Sequence, residues 1–181
     1  MTEIMLPVRP KWCELIASGK KTIEVRKFCL KCGVPFKVDI YCTEDRNHKL
    51  WIGEPINDVS GGRYLGNGKV IGEFVCRNMT CIQADIDIRG DKHLYNTAFF
   101  GDKTCLSDDE LFDYIYSAPD KTGWGWWISD LKIYDEPKSL SEFWKANVVC
   151  HRGTQKNDCD GCWDCEITRP PQCFCYVERR D

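Results

Sequence analysis

The stretch GKKTIEVRK (19–27) sets four basic residues and one glutamate around two β-branched apolar residues, Ile23 and Val25. It follows VRPKWCELIASGK, which predicts a helix: Pro10 suits a first turn, Trp12, Leu15 and Ile16 share one face, and Gly19 is a natural stop. The residues after Gly19 predict a strand, with Ile23 and Val25 on one side and Thr22, Glu24 and Arg26 on the other. Charge on that second side has two physical readings. Either the face lines a wet cleft, or Glu24 and Arg26, two apart, form part of a structural ion-pair network.

Outward from this strand, FKVDIYCT keeps a period of two, with Phe36, Val38, Ile40 and Cys42 on the buried face. Residues 44–68 turn polar and glycine-rich, which predicts an excursion between strands rather than a linker. KVIGEFVCRNMTCI predicts a long strand, bent where Gly72 interrupts it. SDDELFDYIYSA predicts a helix with Ser107 as N-cap, Glu110 three residues on and acids in its first turn. GWGWWISDLKIYDEP predicts a further strand, SLSEFW one short helical turn, and CFCYVER a closing strand. Five or six strands with helices at two crossovers suit a small, mostly antiparallel β-barrel of α+β class.

The 181 residues are 43 % apolar and 29 % charged, a globular mix long enough to bury one core, so the expectation is a single domain over 1–181. No apolar run approaches the roughly 20 residues that span a bilayer, and the N-terminus does not read as a signal peptide. A net charge of −3 gives no global attraction to nucleic acid, so an anion-binding surface has to be local. Bases gather at 9–11 and 20–27, acids at 106–114 and 158–166. Thirteen cysteines, an odd number without a secretion signal, point to a reducing cytoplasmic compartment and to metal ligation rather than a disulfide framework. Cys13 and Cys76 read as small buried apolar residues.

PVRPKWCELIASGKKTIEVRK resembles the opening of the ASCH domain, a member of the PUA-like superfamily, whose signature is Gly-x-Lys-x-x-Glu-x-Arg. Gly19, Lys21, Glu24 and Arg26 fit that spacing. KVIGEFVC, GWWISDLKIYDEPKSLSEF and RPPQCFCYVE resemble later segments of the same family, in a branch common in phage and gut-bacterial genomes. The resemblance implies a PUA-like pseudo-barrel with two or three helices and a cleft where Lys21, Glu24 and Arg26 gather to hold RNA or a nucleotide. A lysine or arginine meets phosphate and a carboxylate accepts from base amines. Lys11, Trp12 and Trp126 are secondary contacts, although large aromatics more often fill cores than stack on bases. Trp126 and Trp127 are adjacent, so only one of them can line the cleft.

Some small ASCH proteins are amidohydrolases of acetylated cytidine, with a lysine, a threonine three residues later and a distal glutamate. Here Lys21 matches, Glu24 stands at the threonine position and Thr104 aligns with the glutamate, so no catalytic residue is assigned and binding is favoured over catalysis. Ribonuclease or modified-nucleoside amidohydrolase activity is the alternative. A phage accessory protein that binds a host protein or sequesters a signalling nucleotide is a further one. The three histidines, His48, His93 and His151, fall in expected loops outside the motif.

CHRGTQKNDCDGCWDC places Cys150, Cys159, Cys162 and Cys165 at spacings that let four thiolates close on one zinc ion, in a Cys-rich loop at about 150–165. Such a site would be structural. Cys173, Cys175 or His151 could replace one ligand, and an iron–sulfur cluster shares the spacing. Cys29 and Cys32 make a second Cys-x-x-Cys pair with no full ligand set, read as a loop without metal.

Overall fold

The structure, a computed structural model, describes residues 1–53, 63–148, 150, 162 and 164–179. These residues form two compact units.

The first unit comprises Met1–Glu14, Phe36–Phe74 and Leu131–Asp181. At its centre β1 (Thr2–Val8) runs parallel to β3 (Phe36–Cys42), with Ile4 opposite Val38 and Leu6 opposite Ile40. Parallel neighbours need a long crossover, here the segment that carries α1 (Pro10–Ala17) and β2 (Ile23–Arg26). On the other side of β1 lies antiparallel β10 (Cys175–Arg179), followed by β9 (Phe143–Lys145). Phe36, Val38, Ile40 and Cys42 are all fully buried, as the period of two predicts. Tyr41, on the opposite face of β3, packs with Met5, Val70, Tyr134, Phe143, Ile167 and Val177 in a second apolar layer. The excursion after β3 contains a two-stranded ladder, β4 (Trp51–Ile52) with β5 (Tyr64–Leu65). The buried Asn67 side chain organises it, accepting from Leu50 N at 2.8 Å and donating to His48 O at 2.9 Å.

The second unit comprises Leu15–Pro35 and Val75–Asp130. β2 pairs antiparallel with β8 (Thr122–Lys138), placing Glu24 opposite Trp126 and Val25 opposite Gly125. The distal part of β6 (Lys69–Ile86) pairs with β7 (Lys92–Tyr95). α2 (Asp108–Tyr116) begins at the predicted capping box: Ser107 Oγ accepts from Glu110 N and the Glu110 carboxylate accepts from Ser107 N. Leu111, Phe112 and Ile115 of α2 pack on Ile23, Val25, Ile82, Ala84 and Phe100. The glycines of GWGWW let this core close. A Cβ on Gly125 would fall 2.5 Å from the Phe100 ring and one on Gly123 would fall 2.1 Å from Ile115 Cδ1.

The α+β class is as expected, and of the described pairings only β1 with β3 is parallel; the expected barrel, however, is not closed. The sheet is mixed and open, in the order β2-β8-β6-β3-β1-β10-β9 with β7 on β6, and no pairing joins its ends among the described residues. The terminal strands β2 and β9 are only four and three residues long, which leaves little ladder for closure. β1 and β7 were not foreseen, and His93 lies on β7 rather than in a loop.

Candidate functional site

α1 stops at Gly19, whose φ of +72° is a left-handed backbone that glycine adopts without strain. Lys21 N donates to Leu15 O at 2.9 Å, so the chain turns inward there, and the Lys21 side chain is only 3 % exposed. Its Nζ donates to the Thr104 carbonyl at 2.7 Å and lies 3.4 Å from Glu24 Oε2. Arg26 meets the other oxygen of the same carboxylate, Oε1, at 2.8 Å. The motif is therefore a buried row of two cations on one anion, a net single positive charge. Arg26 remains partly exposed at its side chain.

The structure thus brings Lys21, Glu24 and Arg26 together and sets Trp126 directly opposite Glu24. Trp126 is fully buried, edge-on to Phe28 at 5.6 Å, so in this geometry it packs rather than offering a ring face to a base. Lys11 and Trp12 belong to the first unit, where Lys11 Nζ lies 4.5 Å from the centroid of the Trp12 ring. Thr104 does come to Lys21, as the aligned position requires, but through its carbonyl; its own hydroxyl accepts from Leu106 N at 3.2 Å.

The motif's backbone holds a hollow of about 580 Å³ within the second unit, lined by Lys20, Thr22 and residues 98–103. Thr22 N donates to Lys103 O, and this ties the motif to the 3-10 turn Gly101–Thr104. The two phenylalanines of the lining divide sharply. Phe100 is 2 % exposed and stands edge-on to Trp127 at 6.3 Å, whereas Phe99 is 78 % exposed. Lys103 Nζ is steered by the Phe99 carbonyl at 2.9 Å and by the Trp127 ring at 5.1 Å. No pattern in the sequence distinguishes Phe99 from Phe100, so this lining was not foreseen.

In the first unit, Cys150, Cys162 and Cys165 are buried with their sulfurs all within 4.8 Å of one another. Cys150 Sγ and Cys162 Sγ are 3.8 Å apart. Thiolates bound tetrahedrally about 2.3 Å from a zinc ion stand about 3.8 Å from each other, so the spacing fits a metal. Trp144 of β9 packs against the three sulfurs, and Lys145 N donates to Cys165 O at 2.8 Å. Cys159 and His151 lie outside the described residues. Cys173 is exposed and Cys175 joins the apolar layer around Tyr134. Cys29 and Cys32 are exposed, with no metal cluster around them among the described residues.

The first unit also holds a charged cluster that was not foreseen. Arg179 Nη2 donates to Asp39 Oδ1 at 2.9 Å, to Glu73 and to Tyr134, while its Nε reaches Glu3 at 3.2 Å. Lys37 bridges Glu3 at 3.3 Å and Glu73 at 3.2 Å. Asp39 has no solvent exposure, and its Oδ2 has no donor among the described residues. Burial, reinforced by the neighbouring Glu3 carboxylate, pushes Asp39 up to about 7 against the pull of Arg179. Burial also acts to raise Glu73, but hydrogen bonds from Tyr134, Arg179 and Lys37 outweigh it and hold Glu73 at about 2. The one available signal was the aspartate in the middle of the apolar run FKVDIYC.

Neither a protein-family model nor a curated protein sequence matches the chain. Solved structures do. ASCH from Zymomonas mobilis superposes with a TM-score of 0.53 at 16 % identity, over 97 % of this chain and 87 % of that one. A Tyr→Phe variant of that protein gives 0.55 at 15 % identity over 99 % and 93 %, and a Ser→Ala variant 0.54 at 16 % over 98 % and 89 %. At such identity the likeness concerns the fold. The chain shares the fold of these ASCH structures, an α+β architecture. No helix among the described residues is long and apolar enough to cross a membrane.

Proposed function

We propose that this ASCH-type domain binds RNA or a nucleotide at the Gly19-to-Arg26 motif, and that it binds rather than catalyses. The observation that carries the reading is the hollow beside the motif, where Lys20 and Lys103 border the exposed ring of Phe99. Lysines supply phosphate contacts and an exposed aromatic face stacks an unpaired base. Lys21, Glu24 and Arg26 serve this site chiefly from behind, by holding the turn that forms the floor of the hollow, while the partly exposed Arg26 adds positive charge. The ASCH-type fold is consistent with the reading.

Anisotropy of a labelled single-stranded RNA, measured across a salt series, tests it. The Lys20→Ala/Lys103→Ala double variant is expected to bind more weakly, with the slope of log K against log salt reduced by roughly 0.7 for each phosphate no longer neutralised. Unchanged affinity and slope would sink the proposal. Cleavage of the RNA, or deacylation of a modified nucleoside in a parallel incubation, would replace it with the enzymatic alternative. Recovery of a host protein in place of RNA would replace it with the accessory-protein alternative.

We further infer a structural zinc ion held by Cys150, Cys162 and Cys165 with Cys159 as fourth ligand. The 3.8 Å sulfur separation in a buried, Trp-covered pocket supports it. Metal analysis of purified protein tests it: one zinc per chain is expected, and iron with inorganic sulfide would assign a cluster instead.

A further inference from the structure

We infer that the hollow beside the motif is a guanine-preferring subsite for an unpaired nucleotide, with Asp102 reading the base. This rests on the nucleotide-binding reading above and adds which base is chosen.

The lining of the hollow carries one carboxylate, Asp102, and two ammonium groups, Lys20 and Lys103. Neither the Asp102 carboxylate nor the Lys20 ammonium has a hydrogen bond or ion pair to a described residue, so both can serve a ligand. The Asp102 main chain is fixed, because its carbonyl accepts from Cys105 N at 3.0 Å and closes the 3-10 turn. Neighbouring bonds from Phe100 N to Thr97 O, at 2.9 Å, and from Lys103 N to Phe100 O, at 3.0 Å, hold the rest of the lining. Phe100 anchors this segment in the core, and Phe99 beside it is exposed and can serve as a stacking surface.

A single carboxylate discriminates bases by counting donors. On their Watson–Crick edges, adenine and cytosine each offer one exocyclic amine, and uracil offers one imino N–H. Guanine alone sets two donors side by side, N1–H and the N2 amine, which one carboxylate accepts together. The Watson–Crick edge is free only in an unpaired nucleotide, and the open hollow with its exposed ring suits that form.

Titration calorimetry of the full chain with GMP, IMP, AMP, CMP and UMP tests the assignment. IMP is the sharpest comparison, since it differs from GMP only in lacking the N2 amine. GMP is expected to bind at least about tenfold tighter than each of the others. Asp102→Asn should abolish the difference between GMP and IMP while weaker, phosphate-dependent binding persists. Lys20→Ala should weaken all five. Equal affinity for GMP and IMP, or a preference for another base, overturns the guanine assignment but leaves nucleotide binding standing. Failure of all five nucleotides and of single-stranded RNA overturns both. Asp102 is exposed, and a melting curve of Asp102→Asn that overlays the wild type separates impaired recognition from impaired folding.

Discussion

Lys21 reaches 83 residues along the sequence to Thr104, its Nζ donating to the Thr104 carbonyl at 2.7 Å from a side chain 3 % exposed. A lysine so deeply buried is held by what surrounds it, including the Thr104 carbonyl and the Glu24 carboxylate that it shares with Arg26. Of the charges in GKKTIEVRK, those of Lys21, Glu24 and Arg26 therefore meet one another, whereas Lys20 borders the hollow with Lys103 and Phe99.

Removing the shared carboxylate leaves two cations together in a buried site. Glu24→Ala is expected to destabilise the fold by about 3–5 kcal/mol, the usual cost of breaking a buried ion pair from one side. Lys20→Ala should leave the urea midpoint essentially unchanged, because that side chain has no partner among the described residues. If equilibrium unfolding shows Glu24→Ala as stable as wild type, the triad is not structural.

Asp39 and Glu73 make stability depend on pH in opposite directions. Asp39 is raised from 3.8 to about 7, so the folded chain holds its proton more tightly; that stabilisation is complete below pH 3.8 and is lost as pH rises through 7. Glu73 is lowered from 4.5 to about 2, so its contribution is present above pH 4.5 and disappears as pH falls through 2. The two contributions together should peak near pH 4 to 4.5. From there stability should decline to about pH 7 and then level off, by on the order of 3 kcal/mol from Asp39. Asp39→Asn removes the titrating group while Glu3, Glu73, Lys37, Tyr134 and Arg179 remain around it. Melting curves of Asp39→Asn should lose the decline between pH 4.5 and 7, and an undiminished decline would refute the assignment to Asp39.

Zinc at the cysteine cluster would tie Cys165 to β9, and Trp144 reports on that contact. Prolonged treatment with a strong chelator, or Cys162→Ser, is expected to lower Tm and alter tryptophan fluorescence together. Each kcal/mol of destabilisation corresponds to about 2–4 °C in a chain of this size. Identical Tm before and after verified removal of zinc would show that the ion does not support the fold.

Gly72 and Gly123 separate two kinds of close approach. A Cβ on Gly72 would fall 2.4 Å from the Lys132 carbonyl oxygen, which is backbone in the adjoining strand. On Gly123 the nearest atom, at 2.1 Å, is the end of the Ile115 side chain, which can rotate away. Gly72→Ala should accordingly cost more than Gly123→Ala, within about 1–3 kcal/mol for overpacking. Chemical denaturation of both variants checks the order, and the reverse ranking would contradict the packing described for β6 and β8.

Local pattern was a sound guide wherever the partners are close in sequence. The capping box Ser107–Glu110, the burial of Phe36, Val38, Ile40 and Cys42, and the closeness of Lys21, Glu24 and Arg26 follow from contacts within a few residues, whereas the burial of that charged row does not. β1 escaped notice for the opposite reason. Flanked by strands on both sides, it buries Ile4, Met5 and Leu6 in succession, so it shows no alternation. The cysteine spacing was legible for the same local reason, while the meeting of Cys150 with Cys162 needed the loop to return on itself.

What the string of residues settles on its own is the two helices, the strands that alternate and the row of charges after α1, since these follow from periodicity, capping and nearest neighbours. Whether that row faces water or the interior, and which of Phe99 and Phe100 becomes a surface, depends on side chains far away in the chain. So does the union of Asp39 with Arg179, 140 residues apart, and the open rather than closed sheet. Burial and ion pairing are sums over many distant groups, and only the assembled structure performs that sum.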